Sequence, residues 1–266
     1  MVIRQSRLLT AILLLPAVAW LIWNLSPFLF FIFISMAILR AQYEYYLLFF
    51  PEDQRRPIVF GLGLGFCLLS MIYFRLPLLA GVTLLSMSVL LYTLSTRQEI
   101  DRTLTTSAAL SFGIMYIAGF LGHLILIRHH PQGRELIVML LLMIWGGDAG
   151  AYYVGRRIGR HKLAPRISPN KTVEGAIGGL VVTFLGGLLA KSTFLPLLSW
   201  GAVAALSLLL GVFGQMGDLA ESMLKRSAGV KDSSALVPAH GGLFDKLDSI
   251  AFAAPLLYYY LIVFKI

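Results

Sequence analysis

Apolar residues along this chain neither alternate nor recur as narrow stripes. They come in near-continuous runs about 20 residues long, separated by short polar breaks. A run of that length is what an α-helix needs to cross a hydrocarbon core of roughly 30 Å. Nine such runs are predicted, at about 8–25, 27–43, 58–74, 76–95, 107–127, 136–154, 175–194, 196–217 and 248–264. The expected fold class is therefore all-α, a polytopic integral membrane protein with about nine transmembrane helices. Neither internal repeats nor low-complexity segments divide the chain. Residues 1–266 read as one transmembrane domain, with an N-terminal helical half at about 1–135 and a half carrying the candidate chemistry at about 140–250.

Composition excludes the soluble alternatives. The 266 residues are 58% hydrophobic and only 13% charged, whereas a soluble domain carries about a quarter charged residues. The only cysteine, Cys67, lies inside an apolar run, which excludes a disulfide framework or a thiolate metal site. Arg4 and Arg7, the run Leu8 to Pro16 and Ala17-Val18-Ala19 imitate a signal peptide. The apolar stretch continues to Leu25, however, and no soluble portion follows, so an uncleaved first span is expected. Gly61-Leu62-Gly63-Leu64-Gly65 sits in mid-span with no strand before it, a place for helix packing rather than a nucleotide loop.

Basic residues set the orientation. With a cytoplasmic N-terminus, 17 of the 22 lysines and arginines fall inside; Arg75, Arg128, Arg134, Lys191 and Lys265 fall outside. Of the 13 carboxylates, only Glu135 falls outside. Acidic residues do not determine topology, so their crowding on one face needs another cause. The net charge of +9 is thus mostly a property of the cytoplasmic face. It suits anionic headgroups and phosphorylated substrates, with no feature pointing to nucleic acid.

Two loops on that face carry the signal. The first, Trp145 to Gly175, begins with Asp148 in the apolar part of its helix. A carboxylate at that depth costs several kcal/mol unless it is paired or bound to a cation; Arg156 and Arg157 are the nearest candidate partners. Further on, Pro169 holds Ser168 extended, and Asn170 or Thr172 can cap the next helix. The free N–H groups there, with Lys171 beside them, can receive a phosphate. In the second loop, Gly214 to Ser249, a helical Asp218–Lys225 segment puts Asp218, Glu221, Ser222 and Lys225 on one face. Asp245 and Asp248 likewise share a face at the start of the last span. Two carboxylate-bearing helix ends joined by the His240-Gly241-Gly242 turn suit Mg²⁺, which takes one or two carboxylates and fills its shell with water and substrate phosphates. Lys225, Arg226 and Lys231 stand beside them.

These residues resemble a known signature. Ser222-x-x-Lys225-Arg226-x4-Lys231-Asp232-x-Ser234, then Pro238-x-His240-Gly241-Gly242-x-x-Asp245-x-x-Asp248, is similar to that of the phosphatidate cytidylyltransferases (CDP-diacylglycerol synthases). Gly217-Asp218-Leu219 before Glu221-Ser222 fits the same family. So do Asp148-x-x-Ala151-Tyr152, Gly155-Arg156 and Ser168-Pro169-x-Lys171-Thr172-x-Glu174-Gly175. The resemblance covers roughly 145–250. The chain departs from it at Ala239 and Ser234, where the family usually has glycine, and at Lys246, where it usually has arginine. Lys246 keeps the charge but loses the bidentate fork that suits phosphate, which leaves room for a divergent paralogue with another lipid acceptor.

The resemblance implies a membrane nucleotidyltransferase using CTP and phosphatidate, with Mg²⁺ and room for a second cation. It sits in the inner membrane with its active site cytoplasmic, with a homodimer left open. Asp218 and Asp245 become the first metal ligands, with Asp248 neighbouring. Lys225, Arg226 and Lys231 hold the phosphates of CTP, and Asp232 joins this catalytic group. Asp148 joins the metal centre or orients Lys171. Ser168, Asn170, Lys171, Thr172, Glu174, Ser222, His240, Gly241, Gly242 and Lys246 make up the substrate-binding set. A cation-coupled transporter is the rival from another class, since intramembrane carboxylates also mark ion pathways. Against it, the carboxylates gather at one face rather than the midplane, and matched broken helices are not visible.

Overall fold

A computed structural model describes residues 16–51, 54–96, 100–231, 233 and 242–265. Eight helices among them are long and apolar enough to cross a membrane, so the expected all-α polytopic architecture is the one observed. Of the predicted first span, only the helical tail at 16–24, here α1, falls within the described residues. The rest are α2 (Pro27–Leu47), α3 (Arg55–Tyr73), α4 (Leu78–Ser95), α5 (Ile100–Phe112), α6 (Phe120–Arg128), α7 (Gly133–Ile158), α8 (Val173–Thr193), α9 (Trp200–Ser227) and α10 (Phe244–Phe264). A π-helical turn, Gly113–Gly119, joins α5 to α6 into one span.

Helix ends follow local chemistry. Ser26 caps α2, with Pro27 in its first turn, and Ser199 caps α9; side-chain oxygens there accept N–H groups that have no partner inside the helix. Between α7 and α8 the chain makes a small antiparallel hairpin, β1 (Lys162–Ala164) with β2 (Ser168–Thr172), paired Lys162 to Thr172 and Ala164 to Ser168. The sequence reading expected only a capped turn there.

Two packing styles hold the bundle. The N-terminal half packs through large side chains: Tyr45, Tyr46, Phe30, Ile38 and Leu69 are among the most deeply buried. Gly61 and Gly65 of α3 accommodate Tyr46 and Gln42 of α2, where an added Cβ would collide. Those glycines therefore serve packing, as expected. The α7–α8 pair instead packs through small residues. A Cβ on Gly150 would come within 2.5 Å of Val182, and one on Gly175 within 2.8 Å of the Ala151 carbonyl. α10 packs against α9, α7, α6 and α2, so one helix that carries two of the candidate carboxylates touches both halves.

Candidate active site

The C-terminal ends of α7 and α9 and the N-terminal ends of α8 and α10 meet at one end of the bundle. The contacts between them form the site. On α9, Asp218, Glu221, Ser222 and Lys225 share one face over about two helical turns, as the i, i+3, i+4, i+7 spacing requires. Ligand-type oxygens of Asp218, Glu221 and Asp248 all lie within 4.8 Å of one another. Glu221 is 1% and Asp248 7% exposed. Three carboxylates this close repel one another unless cations intervene. Two lysines partly do so: Lys171 Nζ is 2.6 Å from Asp218 Oδ2, and Lys225 Nζ is 2.7 Å from Glu221 Oε2.

The compensation is incomplete. Glu221 Oε1 is buried and has no hydrogen-bond partner among the described residues. An oxygen-only donor set with one unsatisfied buried oxygen fits a hard divalent cation such as Mg²⁺. Of the three expected ligands, Asp218 and Asp248 stand in this cluster. Glu221, which the sequence placed on the same helix face without a ligand role, is its third member.

Asp245 is arranged differently. Its Oδ1 accepts from Lys225 Nζ at 2.6 Å. Its Oδ2 accepts from Gly242 N at 2.7 Å, Ser233 Oγ at 3.0 Å and Ser233 N at 3.3 Å. It adjoins the carboxylate cluster directly at Glu221 and also through Lys225, which bridges Glu221 and Asp245, and it ties Ser233 to Gly242 at the entry to α10.

Glu44 on α2 does the rest of that tying and was missed from the sequence. It is fully buried. Its Oε2 accepts from Phe244 N at 2.8 Å and lies 3.3 Å from Ser233 Oγ, while Oε1 pairs with Arg40 at 3.2 Å. α10 has no side-chain cap of its own, so a carboxylate from another helix satisfies its first turn and favours the positive end of its dipole. The one local hint is the i, i+4 spacing of Arg40 and Glu44 at the end of an apolar run.

The hairpin presents Lys171 to this cluster. Thr172 Oγ1 accepts from Gly175 N at 3.1 Å and caps α8, one of the two caps expected. Glu174 turns back to accept from Arg160 N at 3.0 Å and to pair with His161 Nδ1 at 2.6 Å; its contacts here anchor the hairpin. Arg226 Nε donates to the Ile167 carbonyl at 3.4 Å, a second bridge between the loops. Ser222 Oγ lies 3.5 Å from Asp218 Oδ1. Ser168 is half-buried, while Asn170 and Lys231 are exposed.

Asp148 lines a small cavity with Gly147, Thr183, Gly211, Gly214 and Gln215. Asp218, Lys171 and Lys246 are the charged groups that act on it, which puts Lys246 on the same side of the site. Arg156 bonds instead to the Tyr152 hydroxyl at 3.2 Å. Asp232, His240 and Gly241 lie outside the described residues, as do Ser234, Pro238 and Ala239.

Comparison with known proteins agrees with this picture. The sequence profile described as the cytidylyltransferase family matches residues 5–264. A phosphatidate cytidylyltransferase of Pseudomonas aeruginosa is 33% identical over 258 residues, 94% of each chain. One from Bacillus subtilis is 38% identical over 192 residues, 72% of this chain and 69% of its own. One from Brucella suis is 46% identical over 152 residues, and that match spans 56% of each chain. An all-helical membrane bundle whose charged helix ends converge, matched by one family profile over nearly its whole length, is a member of the cytidylyltransferase family.

Proposed function

We propose that this protein catalyses transfer of the cytidylyl group of CTP to phosphatidate, giving CDP-diacylglycerol and pyrophosphate. The observation that carries the reading is the meeting of Asp218, Glu221 and Asp248 with Lys171 and Lys225 at the joined ends of four helices. The relatives named phosphatidate cytidylyltransferase supply the substrate class. Positive-inside bias supports a cytoplasmic active site and N-terminus in the inner membrane, where a two-chain lipid reaches the helix ends without leaving the bilayer.

A non-bridging oxygen of the phosphatidate phosphate attacks the α-phosphorus of CTP. The bond from that phosphorus to the α,β-bridging oxygen breaks, and pyrophosphate leaves with that oxygen. The nucleophile is already anionic near neutral pH, so no strong general base is required. Catalysis then rests on positioning and on charge stabilisation of the transferring group. A divalent cation held by Asp218, Glu221 and Asp248 would supply electrostatic stabilisation of the phosphate oxygens. Lys171 and Lys225, each paired with a carboxylate, are held where they can exchange that partner for phosphate. Arg226, Lys231 and Lys246 add positive charge around the triphosphate and leaving pyrophosphate. Asp245 keeps Lys225, Ser233 and the start of α10 in register.

The test is a detergent-micelle assay with CTP, phosphatidate and Mg²⁺, following labelled liponucleotide and pyrophosphate together. Wild-type protein should form both products in equal amounts. Chelation and Asp218→Asn should each lower the rate by about a thousandfold or more. Full turnover by Asp218→Asn would remove the carboxylate cluster from the mechanism. No product with phosphatidate, but product with another phosphorylated membrane lipid, would change the acceptor and keep the site.

A further inference from the structure

Tyr116 belongs to the π-helical turn Gly113–Gly119, more than a hundred residues before the carboxylates of α9 and α10. It is 3% exposed, and its hydroxyl has no hydrogen-bond partner among the described residues. A buried phenol ordinarily finds a partner for its O–H.

The ring contacts, which include Phe112 and Phe120, also place this ring against one face of α10. Tyr116 meets Phe244 edge-on at 6.1 Å and Phe252 edge-on at 6.0 Å between centroids. Phe244, Asp248 and Phe252 follow one another at i, i+4 and i+8 along a single face of α10. A side chain that touches both phenylalanines therefore lies across from the aspartate between them. Asp248, Glu221 and Asp218 are also the carboxylates that act electrostatically on the Tyr116 hydroxyl. Within the cluster, Glu221 Oε1 is likewise buried without a hydrogen-bond partner among the described residues. Polar groups without a direct partner are commonly bridged by water, and Mg²⁺ characteristically retains several waters when carboxylates bind it.

The backbone supports a role beyond packing. π turns are rare and occur frequently at functional sites. This one is held by close fit: a Cβ on Gly113 would come within 2.5 Å of the Tyr46 ring.

We propose that Tyr116 is a positioning residue of the cation site, its hydroxyl oxygen accepting a hydrogen bond from a water in the shell of the cation that Asp218, Glu221 and Asp248 hold. The N-terminal half thereby contributes a group to the site. The inference rests on the cation reading given under the proposed function, so its test separates the two.

Full-length protein in detergent is titrated with Mn²⁺, free ion being followed by electron paramagnetic resonance with no nucleotide or lipid present. Wild type should bind, and Asp248→Asn should bind far more weakly. Tyr116→Phe removes one oxygen that has no hydrogen-bond partner among the described residues, so its thermal melting should be unchanged. Its Mn²⁺ affinity should fall about tenfold, the factor for one hydrogen bond in a charged setting. The Mg²⁺ concentration for half-maximal turnover should rise by the same factor, with kcat recovered at saturation. Phe252→Leu loosens the ring's surroundings but keeps the hydroxyl; it should melt earlier and bind Mn²⁺ as wild type does. Wild-type Mn²⁺ affinity in Tyr116→Phe overturns the assignment and leaves the carboxylate site standing. Equal Mn²⁺ binding by wild type and Asp248→Asn, or none by either, overturns the carboxylate site and this inference with it.

Discussion

The two halves of the bundle solve the problem of polar groups in a membrane in opposite ways. In the N-terminal half the polar side chains brace the backbone. Gln42 Nε2 donates to the Tyr46 hydroxyl at 2.9 Å and to the Gly61 carbonyl at 3.1 Å, and Tyr46 donates onward to the Leu110 carbonyl at 3.1 Å. These bonds join α2, α3 and α5 around large aromatic side chains. In the C-terminal half the polar groups carry charge and face one another: Lys171 with Asp218, and Lys225 with Glu221 and Asp245. Small residues on α7 and α8 let those backbones approach closely, and Gln215 Nε2 ties α9 to the Ala176 carbonyl at 3.0 Å. The difference teaches that the first half is a brace and the second a charge assembly. Glu44 and Tyr116 are the two places where the brace reaches into the assembly.

Removing the lysine at the centre of the assembly should have the largest effect on stability. Lys225 is only 11% exposed at its side chain and stands between two carboxylates. Lys225→Met leaves Glu221 and Asp245 adjacent and uncompensated, and breaking a buried pair costs about 3–5 kcal/mol. We expect turnover to fall at least a hundredfold and melting in detergent to drop sharply. Adding Glu221→Gln should restore part of the melting temperature but none of the turnover. Additive losses in that double-mutant cycle would show that the three groups do not act as a unit.

Glu44 breaks the comparison at its seam. Glu44→Ala removes the partner of Phe244 N and of Arg40 together, and should cost about 2–3 kcal/mol. Glu44→Gln keeps an acceptor for Phe244 N and should cost about half as much. Because Glu44 orders the entry to α10 on which Asp245 and Asp248 sit, activity should track melting across both variants. Normal melting with lost turnover would instead place Glu44 in direct contact with substrate.

How far the sequence reveals this arrangement depends on the range of each interaction. The spans are legible because a helix in lipid must be apolar over a fixed length, a local requirement. The charged face of α9 is legible for the same reason, since Asp218, Glu221, Ser222 and Lys225 are set by helical period alone. Pairing between segments is not. Nothing local joins Lys171 to Asp218, 47 residues away, or Glu44 to Phe244, 200 residues away. Spacing alone puts Asp245 and Asp248 on one face, and the resemblance ranks Asp245 first as a ligand; neither shows that Asp245 binds Lys225 while Asp248 faces Asp218 and Glu221. The hairpin escaped because β1 has three residues and β2 carries Pro169, too little for a strand pattern. The π turn has no marker of its own beyond Gly113 and Gly119.

The smallest effects sharpen the comparison most directly, because one added methyl group tests each half. Gly63 of α3 faces open space, with nothing within 4 Å of an added Cβ. Gly63→Ala should change stability by no more than about 0.5 kcal/mol and leave turnover alone. Gly175 opens α8, and a Cβ there would approach the Ala151 carbonyl of α7 to 2.8 Å, against backbone that cannot swing aside. Gly175→Ala should therefore cost about 1–3 kcal/mol. It should also lower turnover beyond what melting explains, because the strain enters four residues from Lys171, the hairpin's link to Asp218. Side-by-side melting curves and rates decide it. If Gly175→Ala behaves like Gly63→Ala, close approach of α7 and α8 is not what holds the charged ends together, and the burden shifts to the ion pairs themselves.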